Sequence, residues 1–374
     1  MIPFVNLVGQ RDAYRQELEK AEKEVLDSGC FIGGPQVKNL EKELSDFVGR
    51  SAISCGSGTD ALTITLMAMD LKPGDQVIVP DFTFIAPAES VSFLGGIPKF
   101  ADIDLKTLQI DTASVQALVN EKTRGIIAVD LFGQCAPFEK LREIAEKNGL
   151  WIIEDAAQAF GATRVIDGQV RKACTFGDIS ITSFYPTKPL GCYGDGGALF
   201  TEDPRLEEKI RMIANHGSPG HYDHQILGVN SRLDAVQAAI LRVKLKHLDD
   251  ELKVREANAL KYDRFFLDVW NNTSGSDLQV FPQTLDSGNF STYAQYTLLA
   301  SNRNAFIQIL KQAEIPFCIH YPETLQNQPC FAGLEPSATP NAKKATQMAI
   351  SLPACAFTDV DQIISRIQAQ TKQK

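Results

Sequence analysis

With 374 residues, 44% of them hydrophobic, the chain can bury a large core and should form two domains, or one large domain with a smaller appendage. Its formal net charge of −9 comes without a basic tract of the kind that grips phosphate backbones, which speaks against a nucleic-acid partner and requires any anionic ligand to be held locally. No run of about 20 apolar residues and no basic-then-apolar leader stands in the sequence, so a cytoplasmic location with no membrane partner is expected; the eight cysteines form no CxxC pair or Cys/His cluster, which fits buried reduced thiols and no metal.

In chain order, an amphipathic start predicts a helix over 10–27, stopped at Gly29, and a second over 37–48. Short apolar runs then alternate with helical stretches. Strands are expected at 51–55, 76–80, 98–102, 125–130 and 151–155, with helices over 59–69, 84–94 and 138–148. Apolar strands separated by helices of about 10 to 15 residues predict an α/β fold with a mostly parallel sheet covered on both faces. Ligands of such a sheet sit outside the carboxyl ends of its strands, so the residues just after Cys55, Pro80 and Asp155 should converge. From Ser231 a charge-rich helical region leads away, and a domain boundary is placed near residue 247. Residues 1–247 then form the large α/β domain and 248–374 a smaller α+β domain, with extended segments at 293–299 and 316–321 and helices over 303–313 and 359–370.

Three segments carry chemistry. Cys55-Gly56-Ser57-Gly58-Thr59-Asp60-Ala61-Leu62 lies between a strand and a helix, where small residues let backbone N–H groups approach a phosphate at a helix N-terminus. Ala61 stands where a Rossmann pattern wants a third glycine, and the P-loop lysine is absent; a helix merely capped by Ser57 or Thr59 is the plain alternative. The stretch Glu154-Asp155-Ala156-Ala157-Gln158 closes a buried strand, and alternation turns the two acids to opposite sides, one of them toward a site. A buried carboxylate needs a cation, such as a protonated pyridine nitrogen, although an acid here also serves as a helix cap. Lys188, in Ser183-Phe184-Tyr185-Pro186-Thr187-Lys188-Pro189-Leu190-Gly191, follows an apolar run and precedes glycines that permit close backbone approach. A lysine desolvated there loses basicity and becomes a nucleophile able to form a Schiff base; a loop lysine paired with Asp195 is the alternative. A phosphate cradle, a carboxylate for a ring nitrogen and a reactive lysine are together the parts that pyridoxal phosphate (PLP) needs.

At these residues the chain resembles the DegT/DnrJ/EryC1/StrS sugar aminotransferases, a branch of the fold-type I PLP enzymes, through IPFVNL, SGCFIGGPQV, GSGTDAL, PGDQVIVPDFTF, EDAAQAFGA, SFYPTKPLGCYGDGGA, NHG and GVNSRLDAVQAAILRVKL. The resemblance implies that Lys188 binds the cofactor covalently, Asp155 pairs with its pyridinium nitrogen and Gln158 bonds its ring hydroxyl. It further implies that Phe84 stacks on the ring, that Gly58, Thr59 and Ser183 hold the phosphate, and that Asn230 reaches it from the partner subunit of a homodimer with shared active sites. The implied reaction passes the amino group of L-glutamate through the cofactor, as pyridoxamine phosphate, to a nucleotide-linked ketosugar. Members with histidine at the lysine position act as dehydratases, and Lys188 speaks against that chemistry here.

Within the family, ISCGSGTDAL, LFGQCA, YAQYTL and IHYP are most similar to enzymes that aminate C3 of UDP-2-acetamido-2-deoxy-3-oxo-glucuronate, and so point toward polysaccharide biosynthesis of the O-antigen kind. By that resemblance, Arg232 of the partner with His320 and Tyr321 holds the substrate carboxylate. Thr324 and Gln326 in YPETLQNQP, and Ala354 and Cys355 in SLPACAF, depart from the family pattern in segments that lie near the sugar. They leave open C3 or C4 amination of another UDP- or dTDP-ketosugar without the carboxylate. A non-catalytic PLP-binding regulator and a Rossmann oxidoreductase are the rival classes. The first has no use for Lys188, and the second needs glycine at 61.

Overall fold

The computed structural model describes residues 2–220, 222–273 and 278–371. Three amino-terminal helices, α1 (Leu7–Ala13), α2 (Arg15–Ser28) and α3 (Gly34–Val48), precede the alternating part. The helix expected over 10–27 is broken at Tyr14, whose ring stacks on His247 with centroids 4.0 Å apart, while the Gln10 amide donates to Glu251. Contacts to a later helix override the continuous local pattern there.

The chain then runs β1 (Ser51–Cys55), α4 (Gly58–Ala68), β2 (Gln76–Pro80), α5 (Ala86–Phe93), β3 (Ile97–Ala101), α6 (Thr112–Leu118), β4 (Thr123–Val129), α7 (Phe138–Asn148) and β5 (Trp151–Asp155). A hairpin of β6 (Thr163–Ile166) and β7 (Gln169–Lys172) is followed by β8 (Ile179–Ser183), β9 (Gly197–Thr201), α8 (Pro204–Ala214) and the long α9 (Ala235–Asp263). The seven-stranded sheet has the order β1-β9-β8-β5-β4-β2-β3, and only β9 runs against its neighbours. The expected mostly parallel sheet between helical layers is therefore present. Neighbouring residues on its strands serve opposite faces: Ile126 and Ile152 join one core with α3 and α7, Ile127 and Ile153 the other with α4, α5 and α8. Being buried on both faces is why these strands read as unbroken apolar runs.

Beyond α9 come α10 (Asn271–Thr273), β10 (Val280–Pro282), β11 (Tyr296–Ala300), α11 (Arg303–Gln312), α12 (Pro340–Met348), β12 (Ala349–Leu352) and α13 (Val360–Thr371). The strands form a three-stranded antiparallel sheet in the order β10-β11-β12. Its separate core gathers Tyr262, Phe266, Trp270 and Phe306. Residue 247 falls inside α9. The segment expected to be extended over 316–321 makes only an isolated bridge, Cys318 to Ser351. Cys55, Cys135, Cys174, Cys192 and Cys355 are buried thiols, whereas Cys30 and Cys318 are half-buried and Cys330 is exposed. None of the described helices is long and apolar enough to cross a membrane.

Candidate active site

The carboxyl ends of β1, β2, β5 and β8 open onto a cavity of about 540 Å³. Nine of the residues singled out from the sequence line it: Gly58, Thr59, Phe84, Asp155, Gln158, Ser183, Lys188, His320 and Tyr321. Ser57, in extended backbone, caps α4 by accepting the Asp60 N–H at 3.0 Å. The N–H groups of Gly58 and Thr59 are thereby left at the positive end of the helix. A Cβ on Gly58 would stand 2.7 Å from that of Ser183, and one on Gly197 would stand 2.6 Å from the Ser57 carbonyl, so the cradle is closed to larger residues.

Lys188 sits on the loop between β8 and β9. Its backbone N–H donates to Tyr185 O at 2.9 Å, Cys192 N–H to Phe184 O at 2.8 Å and Phe184 N–H to Gly196 O at 2.8 Å, which folds the loop on itself. Any side chain at Gly191 would strike the Pro186 carbonyl, 2.4 Å from a Cβ there. From α9, Gln237 accepts the Tyr193 N–H at 2.8 Å, and the buried Lys244 donates its ammonium to Gly191 O at 2.7 Å while lying 4.3 Å from the centre of the Tyr193 ring. Burial pushes the Lys244 amine down to about 8. These two supports lie in VQAAILRVKL, where only their place on a helix was foreseen. Lys188 itself makes no ion pair among the described residues, which sets aside the pairing with Asp195. Burial lowers its basicity, opposed by the charge of Asp155.

At the end of β5 the two acids diverge as alternation requires. Asp155 faces the cavity, nearly buried, accepting the Ala157 N–H at 3.0 Å. Burial pushes its carboxyl up to about 6, against the pull of that N–H and of Lys188. Glu154 points away and accepts from the N–H groups of Cys174 and Phe176 and the hydroxyl of Ser180 at 2.6–2.7 Å, fastening the loop before β8. Behind both, fully buried Asp130 has its carboxyl raised well above the ordinary value by burial and by the nearby charge of Glu154.

The far wall comes from residues that follow α9 in the chain. Tyr321 packs edge-on to Phe82 and its hydroxyl accepts from Gln158 Nε2 at 3.3 Å, while Gln158 Oε1 takes the Phe132 N–H at 2.7 Å. Phe84 is 54% exposed, lines the cavity and tilts toward Tyr321. His320 Nδ1 bonds Ser351 Oγ at 3.1 Å, and Ser351 Oγ also meets Thr297 Oγ1 at 3.0 Å. Burial and the Lys188 charge hold His320 down at about 4, so its imidazole is neutral and offers a carboxylate no positive charge. Asn230 and Arg232 do not line the cavity of this chain; both are exposed, with Asn230 in a bridge to Asn215 and Arg232 donating to the Asn215 side chain at 3.2 Å.

The two departures from the family pattern turn out to serve the interior. Gln326 donates its backbone N–H and its amide to the two oxygens of buried Asp81, which Thr339 also reaches at 2.6 Å. Cys355 accepts the Asn6 N–H on its sulfur at 3.3 Å and meets Thr358, away from the cavity. Thr324, Gln326, Ala354 and Cys355 are all absent from the lining of the cavity in this chain.

The cavity fits PLP. A helix N-terminus lined by small residues suits its phosphate, a buried carboxylate with no full counterion suits its ring cation, and the buried Thr83 hydroxyl on the same lining lacks any partner. Thr83 and Gln295, both on the lining, were not singled out from the sequence; their motifs PDFTF and YAQYTL were the available signal.

The pattern of the DegT/DnrJ/EryC1/StrS aminotransferase family matches residues 12–368. The chain is 42% identical to the UDP-2-acetamido-2-deoxy-3-oxo-D-glucuronate aminotransferase of Pseudomonas aeruginosa, with 97% of this chain and 98% of that protein covered. It is also 42% identical to a protein of Geobacillus stearothermophilus named a pleiotropic regulatory protein, over 94% of this chain and 93% of the relative. Among solved structures, S. venezuelae DesV in complex with a ketimine intermediate superposes with a TM-score of 0.91 at 33% identity, covering 100% of this chain and 98% of that one.

Proposed function

The chain belongs to the DegT/DnrJ/EryC1/StrS aminotransferase family and is a transaminase; from this we propose that it moves the amino group of L-glutamate to C3 of UDP-2-acetamido-2-deoxy-3-oxo-D-glucuronate, with PLP as cofactor. The observation that carries the chemistry is the shared cavity of Lys188, Asp155 and the Ser57–Thr59 cradle. When bound, PLP supplies an electron sink for the carbon that loses its proton. The N–H groups of Gly58 and Thr59 with the Ser183 hydroxyl would hold the phosphate, Phe84 would cover the ring face, Gln158 would meet the ring hydroxyl, and Asp155 would keep the ring nitrogen protonated.

Lys188 would bind the cofactor. Its Nζ, made less basic by desolvation, then takes the proton from the α-carbon of the amino donor and returns one on the sugar side. Residues 1–247 would carry the cofactor and 248–374 one wall of the sugar site. The exposed Asn230 and Arg232 support a homodimer in which they enter the partner's cavity, Arg232 bringing to the substrate carboxylate the charge that neutral His320 lacks. A cytoplasmic place in polysaccharide (O-antigen) biosynthesis goes with this substrate.

The test is the visible absorption of protein reconstituted with PLP, before and after L-glutamate, beside Lys188→Ala. The wild type should show the band of lysine-bound cofactor and lose it on adding glutamate, and the variant should not respond. A wild-type band that ignores every amino donor would favour the regulatory reading suggested by the Geobacillus relative.

A further inference from the structure

Building on the sugar aminotransferase reading, we propose that Gln295 recognises the acetamido group on the carbon beside the reacting carbonyl and so sets which ketosugars are aminated. Gln295 lines the cavity with Lys188, immediately before β11, and its amide oxygen is buried without a partner. Buried amide atoms rarely stay unpaired, so an unmet acceptor on a site wall indicates a donor brought by the ligand.

Strand alternation accounts for its direction. Tyr296 and Leu298 face the small core, where the Tyr296 ring stacks on Tyr262. Leu299 packs instead with Phe82, Phe132 and Tyr321, and Thr297 reaches Ser351, the partner of His320. Gln295 shares the parity of Thr297 and Leu299, the face turned to the large unit and its site.

The two substrates differ in what they offer that amide. Beside its reacting amine L-glutamate carries only carboxylates, which give nothing to an oxygen acceptor. An acetamido group carries both an N–H and a C=O, and is complementary to a glutamine amide whichever way round that amide stands. A hydroxyl at the same carbon satisfies only one end.

The experiment uses PLP-loaded enzyme, wild type, Gln295→Leu and Gln295→Met, and follows bleaching of the cofactor band by three amino donors. These are L-glutamate, a UDP-3-amino sugar with a 2-acetamido group, and a nucleotide-linked 3-amino sugar with a 2-hydroxyl. In both variants the rate loss with the acetamido sugar should exceed the losses with glutamate and with the hydroxyl sugar by roughly 10- to 100-fold. Equal losses with all three donors, or no loss, would overturn the assignment. Wild-type enzyme that responds to glutamate but to neither sugar would instead reject the sugar aminotransferase reading itself.

Discussion

Lys244 of α9 reaches the carbonyl of Gly191, three residues past Lys188, with its ammonium 2.7 Å away. A long helix thus holds the loop that carries Lys188. Lys244→Met keeps most of the bulk but leaves that carbonyl unpaired, and should cost about 1–3 kcal/mol of stability. PLP affinity should fall as well, which equilibrium unfolding and cofactor titration would both register. Unchanged affinity would show that the loop holds its shape without α9.

The pH response of the cofactor-free protein should carry the mark of Asp155. Its carboxyl is raised by burial to about 6, so the protonated form is favoured in the fold. The stability this contributes is complete below the ordinary value of 3.8 and is lost as pH rises through about 6. Asp155→Asn should remove that part of the slope between pH 4 and 6 in thermal unfolding. Bound PLP favours the ionised carboxylate, so wild-type affinity should rise with pH over the same window. Turnover of the variant should drop by roughly 10²–10³-fold.

Ser351 is buried on β12 and holds His320 through Nδ1. Ser351→Ala should raise KM for the ketosugar about 5- to 10-fold with a smaller change in kcat. A matching rise in KM for L-glutamate would place His320 in general packing rather than in sugar binding.

Gln326 is an internal tie to Asp81. Gln326→Ala should lower stability by about 1–3 kcal/mol, since Asp81 is left buried with fewer donors, while the relative rates on different sugars stay as they were. A changed sugar preference would return this segment to the substrate site.

The proposed homodimer with shared sites predicts complementation. Lys188→Ala and Arg232→Ala homodimers should each be impaired, and mixing them after dissociation should restore roughly a quarter of wild-type activity, from the one intact site of each heterodimer. No recovery, with exchange verified by mass, would mean that each chain builds its site alone.

The site was legible because strand ends announce themselves. GSGTDAL, EDAAQ and SFYPTK each join a short apolar strand to small or charged residues, and the sheet brings them to one edge. The β6–β7 hairpin was overlooked because its strands are polar and four residues long, yet Asp167-Gly168, both at positive φ, form the two-residue turn that such hairpins favour. The support from Lys244 was not legible, because a lysine on a charged helix looks solvated until the fold carries it inward. The internal ties of Gln326 and Cys355 were not legible for a related reason. A family motif locates a segment but does not say which way each side chain turns.

The fully buried Asp130, whose carboxyl is pushed upward by burial and by the charge of Glu154, bears on how the site is tuned. Glu154 already pushes the Asp155 carboxyl upward from one residue away, and an ionised Asp130 would add a further negative charge behind the same strand end. By favouring the neutral form of Asp130, burial limits the repulsion that reaches the cavity. Asp155 thus stands at the cavity with less negative charge crowded behind it than three neighbouring acids would otherwise bring.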